Sequence, residues 1–99
     1  MTDADILKIL QSDLNFLVVD EPLKAQLIHY IDTAKSLIQR EGVTLAAPFS
    51  VEDGELIEMY AAYLFRKRAT GEAMPRMLRW ALNNRLFGEK AKAGGGDVT

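Results

Sequence analysis

A long helix is predicted by the stretch SVEDGELIEMYAAYLFRKRATG, residues 50–71. Ser50 followed by Asp53 resembles a capping box, and the acids behind it suit the first turn of a helix. Basic residues before Thr70-Gly71 are typical of a helix end. Apolar side chains cover roughly two-thirds of the circumference, namely Leu56, Ile57, Met59, Tyr60, Ala61, Tyr63, Leu64 and Phe65. Such a helix is either central to its domain, or packs on a core with one side and on a partner with the other.

A second helix is predicted upstream. Asp20-Glu21-Pro22 indicates its start and Gly42 its end. Its apolar residues form one stripe, made of Leu23, Leu27, Tyr30, Ile31, Ala34, Leu37 and Ile38. Ile28 lies outside this stripe, and it becomes informative only if copies of the chain touch there.

Two shorter helices complete the predicted bundle. One runs from Thr2 to about Gln11, and residues 16–19 then form a packed connector. The other begins near Pro75 and ends before Gly88. We therefore predict an all-α, single-domain bundle of about four helices over residues 1–90, followed by a flexible, glycine-rich tail over residues 91–99.

The composition of the chain excludes several classes of protein. The 99 residues suffice for one domain, and 48% of them are hydrophobic, which is typical of a folded protein. The chain contains no cysteine, which excludes disulfides and thiolate metal sites. Acids near the N-terminus argue against a secretory signal, and no apolar run reaches the roughly 20 residues of a membrane span. We expect an intracellular protein with no membrane partner.

Charge is unevenly distributed along the chain. Residues 1–65 contain 11 acids and 4 bases, whereas residues 66–99 contain 8 bases and 3 acids. Opposite potentials at the two ends of a subunit favour head-to-tail contact between copies. Uneven surface charge without any role explains the distribution equally well.

Nothing in the sequence indicates catalysis. His29 is the only histidine, and its pairing with Asp32 on a polar helix face is usually a solvated arrangement. We interpret the acids at positions 52, 53, 55 and 58 as first-turn residues and a solvated helix face. No glycine-rich loop precedes a helix to bind phosphate. The sequence therefore predicts a protein that is not an enzyme, with no catalytic residue, metal or cofactor.

The basic residues support two interpretations. In the first interpretation, basic residues form salt bridges with the next copy or line a channel that carries DNA. The candidates are Arg66, Lys67, Arg68, Arg76, Arg79 and Arg85. The alternative is a small DNA-associated or regulatory helical protein, because two helices joined by a turn resemble a helix-turn-helix. The linker Thr70–Met74 is longer than the usual turn of that motif. Non-specific DNA contact is therefore more plausible than reading of bases.

Trp80 and Phe87 form a separate apolar patch on the fourth helix, divided from its core stripe by Asn84. They are either an ordinary core pair or an anchor for a neighbouring subunit, where aromatic residues are enriched. The full set of candidates for a subunit or portal interface is Ile28, Met59, Phe65, Trp80 and Phe87.

Two blocks of sequence resemble the head–tail connector, or head-completion adaptor, proteins of tailed phages and prophages. The more generic block runs from Asp20-Glu21-Pro22 through Leu27-Ile28-His29-Tyr30-Ile31 to Ala34 and Ile38. The more distinctive block is EMYAAYLFRKR, residues 58–68, followed by MPRMLRWALNNR, residues 74–85. The resemblance covers roughly residues 3–90.

This resemblance implies a structural subunit that forms a ring of copies beneath the portal protein after DNA packaging. The ring would extend the DNA channel and offer a platform to the next neck, stopper or tail protein. The implied location is the neck of the virion, with the host cytoplasm during assembly. In this family a flexible C-terminal segment can dock on the portal, which would give residues 91–99 a role.

Overall fold

A computed structural model describes the backbone of residues 1–98 and the side chains of residues 1–91. It contains four helices: α1 (Asp3–Asp13), α2 (Glu21–Arg40), α3 (Val51–Thr70) and α4 (Arg76–Val98). No strand occurs within these 98 residues. The predicted all-α bundle of four helices is confirmed.

Side chains cap the starts of α1, α2 and α3. The Thr2 hydroxyl accepts from the Asp5 amide, while the Asp5 carboxylate accepts from the Thr2 amide, which completes a capping box. Asp20 and Ser50 accept from the amides three residues ahead of them, over 2.9 and 3.1 Å. These local bonds explain why the starts of the helices were predicted correctly.

Glycine ends one helix and not another. Gly71 follows α3 with a φ of +66°, and its amide donates to the carbonyl of Lys67. The predicted end of α4 before Gly88 is wrong, because the helix continues through that residue. A glycine inside a helix costs only about 1 kcal/mol relative to alanine. Apart from Ala91, the tail predicted for residues 91–99 lies outside the side chains that the structure describes.

The central helix of the bundle is α3. It packs against each of the other three helices, whereas α1 and α4 are not a packed pair. Six apolar residues of α3 are buried within the chain: Leu56, Ile57, Tyr60, Ala61, Ala62 and Tyr63. The sequence allowed two interpretations of this helix. The first, that it is central to its own domain, accounts for most of its apolar surface. Met59, Leu64 and Phe65 are half-buried against the same core.

The helix α4 rests on α3 through a narrow set of contacts. Leu78 and Leu82 are buried on its inner side, and Ala81 and Leu86 are half-buried. Beside them, Arg85 on α4 forms an ion pair with Asp53 on α3. The outer side of α4 therefore stays open to contact.

The connector between α1 and α2 is only partly packed. The Phe16 ring meets the Phe65 ring edge-to-face, with the ring centres 5.7 Å apart, and Val19 contacts the core. Leu17 is 100% exposed and Val18 is 83% exposed, so the interpretation of this segment as packed is wrong for its two central residues.

Candidate protein-docking surface

Large apolar side chains project from the outer side of α4. Met77, Trp80 and Phe87 are 70%, 64% and 76% exposed. Their spacing of three and seven residues places them in one row along the helix, which we call the α4 stripe. Of the two interpretations of Trp80 and Phe87, the core pair is wrong and both side chains are available to a neighbour.

An open groove runs beside this stripe, over α3 and between α1 and α4. Three adjoining depressions all include Met59, which lies at the centre of the groove. Ile9 on α1 lines one side, while Trp80 and Met77 on α4 line the other. We call this surface the α3 groove. The predicted interface residue Met59 thus lies beside the predicted anchor Trp80.

The α1 side of the α3 groove contains an acidic cleft of about 480 Å³. Asp13, Glu55 and Glu58 supply its carboxylates, and Ile9 and Met59 supply apolar walls. We use the name acidic cleft for this part of the groove. It differs from the rest of the surface because carboxylates from two helices face the same space.

Glu58 is the buried member of the acidic cleft. It is 5% exposed, and its Oε1 has no hydrogen-bond partner in the structure. The pKa of Glu58 is raised from 4.5 to about 8, chiefly by burial and also by a hydrogen bond with Asp13 and by the charge of that residue. The interpretation of Glu58 as a solvated acid is wrong. Glu52 and Asp53 lie in the first turn of α3, as predicted, although Asp53 is buried there. Glu52 and Glu55 are exposed.

Two of the candidate arginines bind acids of their own chain. Arg79 donates to both carboxylate oxygens of Glu41, over 2.9 and 3.3 Å. Arg85 donates to Asp53, to Glu89 and to the backbone carbonyl of Thr44. The guanidinium of Arg85, whose side chain is 18% exposed, is thus occupied within the fold, and we revise its predicted role. The side chain of Arg79 is 44% exposed, so Arg79 stays a candidate for contact with another copy or DNA.

Three further bases contact the body of their own chain. Arg66 lies 3.7 Å from the carboxylate of Asp13 and also donates to its backbone carbonyl. Lys67 and Arg68 stack over the rings of Tyr63 and Phe65. All three side chains remain exposed, so they can still meet a partner.

Arg76 differs from these residues. Within the described part of the chain its side chain has no ion pair and no hydrogen bond, and it is exposed at the start of α4. It lines a shallow apolar depression with Met77 and Trp80. Arginine and tryptophan are among the residue types most enriched at energetically important positions of interfaces.

The remaining predicted interface residues lie elsewhere. Ile28 is 40% exposed on α2, and α2 contributes no residue to the α3 groove. Phe65 packs edge-to-face on Phe16 and Tyr30, so its ring serves mainly the chain's own core. Three exposed apolar residues that line the groove were missed by sequence reasoning: Ile9, Val51 and Met77. Met77 lies one turn from Trp80, and that spacing could have identified it.

His29 is exposed, and its expected partner Asp32 lies 3.7 Å from Lys35 instead. Over the residues searched, no group of three or more histidine, aspartate or glutamate side chains is placed to hold a metal ion. Among the described helices, none has the length and hydropathy needed to cross a membrane.

Comparison with known proteins adds no relative: no family model, no curated protein and no solved structure matches this chain.

Proposed function

We propose that this protein is a structural assembly subunit, a head–tail connector that forms a ring of copies under a phage portal and joins the head to the tail. The observation that carries the proposal is the exposure of the α4 stripe, where Met77, Trp80 and Phe87 are 70%, 64% and 76% exposed. Aligned large apolar side chains that their own core leaves uncovered mark a surface for binding protein.

The energetics favour burial of the stripe by another protein. Complete burial of a large apolar side chain contributes roughly 1.5–3 kcal/mol, so three such side chains can support a stable contact. The half-buried Met59 in the adjacent α3 groove extends the apolar area. Copies of the chain, the portal protein and the next neck or tail protein are the partners we propose for these surfaces.

The resemblance of residues 58–68 and 74–85 to connector proteins supports the same function. The two blocks lie on α3 and α4, which together form most of the α3 groove and the whole stripe. The alternative of a DNA-binding regulator is disfavoured, because Arg79 and Arg85 on α4 are engaged with acids of their own chain. A recognition helix needs such side chains free to reach bases.

Electron microscopy of the protein mixed with the portal protein from the same genome tests the proposal. We expect a ring of additional density on one end of the portal, and loss of that ring when Trp80→Ala and Phe87→Ala are combined. Leu17→Ala combined with Val18→Ala is the matched control, since it removes two exposed apolar side chains from the connector between α1 and α2, outside the α3 groove. Portal particles that gain no density at saturating protein would contradict the connector function.

A further inference from the structure

The acidic cleft contains a carboxylate, that of Glu58, to which no base of the described residues forms a salt bridge. Its floor holds Glu58, which is 5% exposed and has an Oε1 without a hydrogen-bond partner. A buried carboxylate oxygen without a donor is unfavourable, and a charged donor from outside would relieve it. The nearest base of the same chain, Arg66, is engaged with Asp13.

The shape of the cleft favours arginine over lysine. Ile9 and Met59 form apolar walls beside the carboxylates of Asp13, Glu55 and Glu58. A guanidinium group is planar and weakly hydrated, and its fork of donors binds more than one carboxylate oxygen. A lysine at the same position is expected to reach the same carboxylates with lower affinity, because its ammonium group is more strongly hydrated.

The chain itself contains a suitable donor. Arg76 has no ion pair within the described residues and stands on the surface next to Met77 and Trp80. It lines none of the three depressions of its own α3 groove. A copy that presents Arg76 would bring the apolar side chains of the α4 stripe to the same contact.

We infer that Arg76 of one copy enters the acidic cleft of the next copy and binds Glu58 and Asp13. This inference rests on the proposed function, because it identifies the contact between neighbouring subunits of the ring. The contact is heterologous: each copy offers an arginine on α4 and receives one between α1 and α3. Repetition of such a contact closes a ring when the rotation between copies permits.

The affinity between copies at this contact should depend on pH. Glu58 is the group that titrates, and Asp13 on α1 with Glu55 and Arg66 on α3 are the charged groups around it. The α2 and α4 helices contribute no residue to the cleft. An arginine favours the ionised form of Glu58, so docking releases a proton. Association should therefore strengthen several-fold between pH 6 and pH 8.

Cross-linking between isotopically distinct copies tests the inference. Copies carrying Arg76→Lys are prepared in unlabelled and ¹⁵N-labelled form, mixed at high concentration or on the portal, and treated with a carbodiimide. The reagent joins an amine to a carboxylate that touches it. We expect mass spectrometry to find position 76 of one isotopic form joined to Glu58, Asp13 or Glu55 of the other.

A double-mutant cycle supplies the second readout. Arg76→Ser and Glu58→Gln should each weaken association about tenfold, and the double variant should be no weaker than either. Glu58→Gln should also abolish the pH dependence. Glu21→Gln and Arg40→Ser are matched controls that remove a charge at exposed positions of α2, outside the α3 groove, and each should leave association unchanged.

The outcomes separate the two proposals. Mixed-isotope cross-links that occur only at other positions would overturn the role of Arg76 while leaving the ring intact. Additive effects in the mutant cycle would do the same. Absence of every mixed-isotope cross-link, both in solution and on the portal, would overturn this inference together with the connector function.

Discussion

The Nε of Arg85 donates to Oδ1 of Asp53 over 2.6 Å, joining α4 to the first turn of α3. The two side chains are 18% and 12% exposed, so water screens this ion pair weakly. Arg85 also donates to Glu89 and to the carbonyl of Thr44, which links α4 to the loop before α3. This one guanidinium holds much of the polar contact between α4 and the rest of the bundle.

Replacement of Arg85 by alanine is expected to destabilise the protein by about 2–4 kcal/mol, because it leaves the carboxylate of Asp53 buried without its partner. Arg79→Ala is the matched control on the same helix. The side chains of Arg79 and Glu41 are 44% and 30% exposed, so their ion pair should contribute less than about 1 kcal/mol. Urea denaturation measures both, and equal losses would show that Arg85 has no special role in holding α4.

Trp80→Ala should impair assembly on the portal far more than folding. The indole is 64% exposed, so we expect a loss of less than about 1 kcal/mol in the free energy of unfolding. Leu82→Ala provides the contrast, since this residue of the same helix is 0% exposed and its truncation should cost about 2–5 kcal/mol. Thermal melts combined with portal binding measure the two effects. A Trp80→Ala protein that unfolds as readily as Leu82→Ala would show that the indole belongs to the core.

Stability should fall as pH rises from 5 to 8. The pKa of Glu58 is raised in the folded protein from 4.5 to about 8, so between these values the folded chain holds a proton that the unfolded chain has released. Rising pH therefore favours unfolding, by at most about 1.4 kcal/mol per pH unit. Glu58→Gln keeps the shape without the ionisation, so its free energy of unfolding should depend less on pH and exceed that of the wild type at pH 8.

Urea denaturation at pH 5, 6.5 and 8 measures this dependence for both proteins. Glu55→Gln is the control, because Glu55 is an exposed neighbour that lines the same cleft. Equal slopes for the wild type and Glu58→Gln would assign the pH dependence to other groups.

DNA binding should be weak and should disappear at high salt. Lys67, Arg68 and Arg76 are exposed around the linker between α3 and α4, while Arg79 and Arg85 are paired within the chain. Neutralisation of about three phosphates gives a slope near −3 in a plot of log affinity against log salt. Fluorescence anisotropy with random and defined duplexes measures it. Tight binding to one defined duplex at physiological salt would favour the regulatory alternative.

The helices were readable from the sequence because their start signals are local. Thr2, Asp20 and Ser50 each bond to an amide three residues away, and such spacing is visible in a sequence. The end of α4 was not readable. Gly88 has open space around it and a cost small enough for the helix to continue, whereas Gly71 adopts a left-handed conformation that ends α3.

The docking surface was predicted in part. The apolar periodicity of α3 shows that many of its sides are buried, but not which neighbour buries them; three helices of the same chain do so. Trp80 and Phe87 were identified as a distinct patch because Asn84 separates them from the core stripe. The acidic cleft was missed because Asp13 and Glu58 are 45 positions apart and come together only in the folded chain.

Because α3 lies between α1 and α4, the three helices have different roles in the docking surface. The central helix α3 forms the floor of the α3 groove, and the two flanking helices, which are not packed on each other, form its two sides. Substitutions at Ile9 and at Trp80 should consequently act additively on the unfolding equilibrium. Evolutionary change that fits the protein to a new partner could alter α1 or α4 alone and leave α3 unchanged.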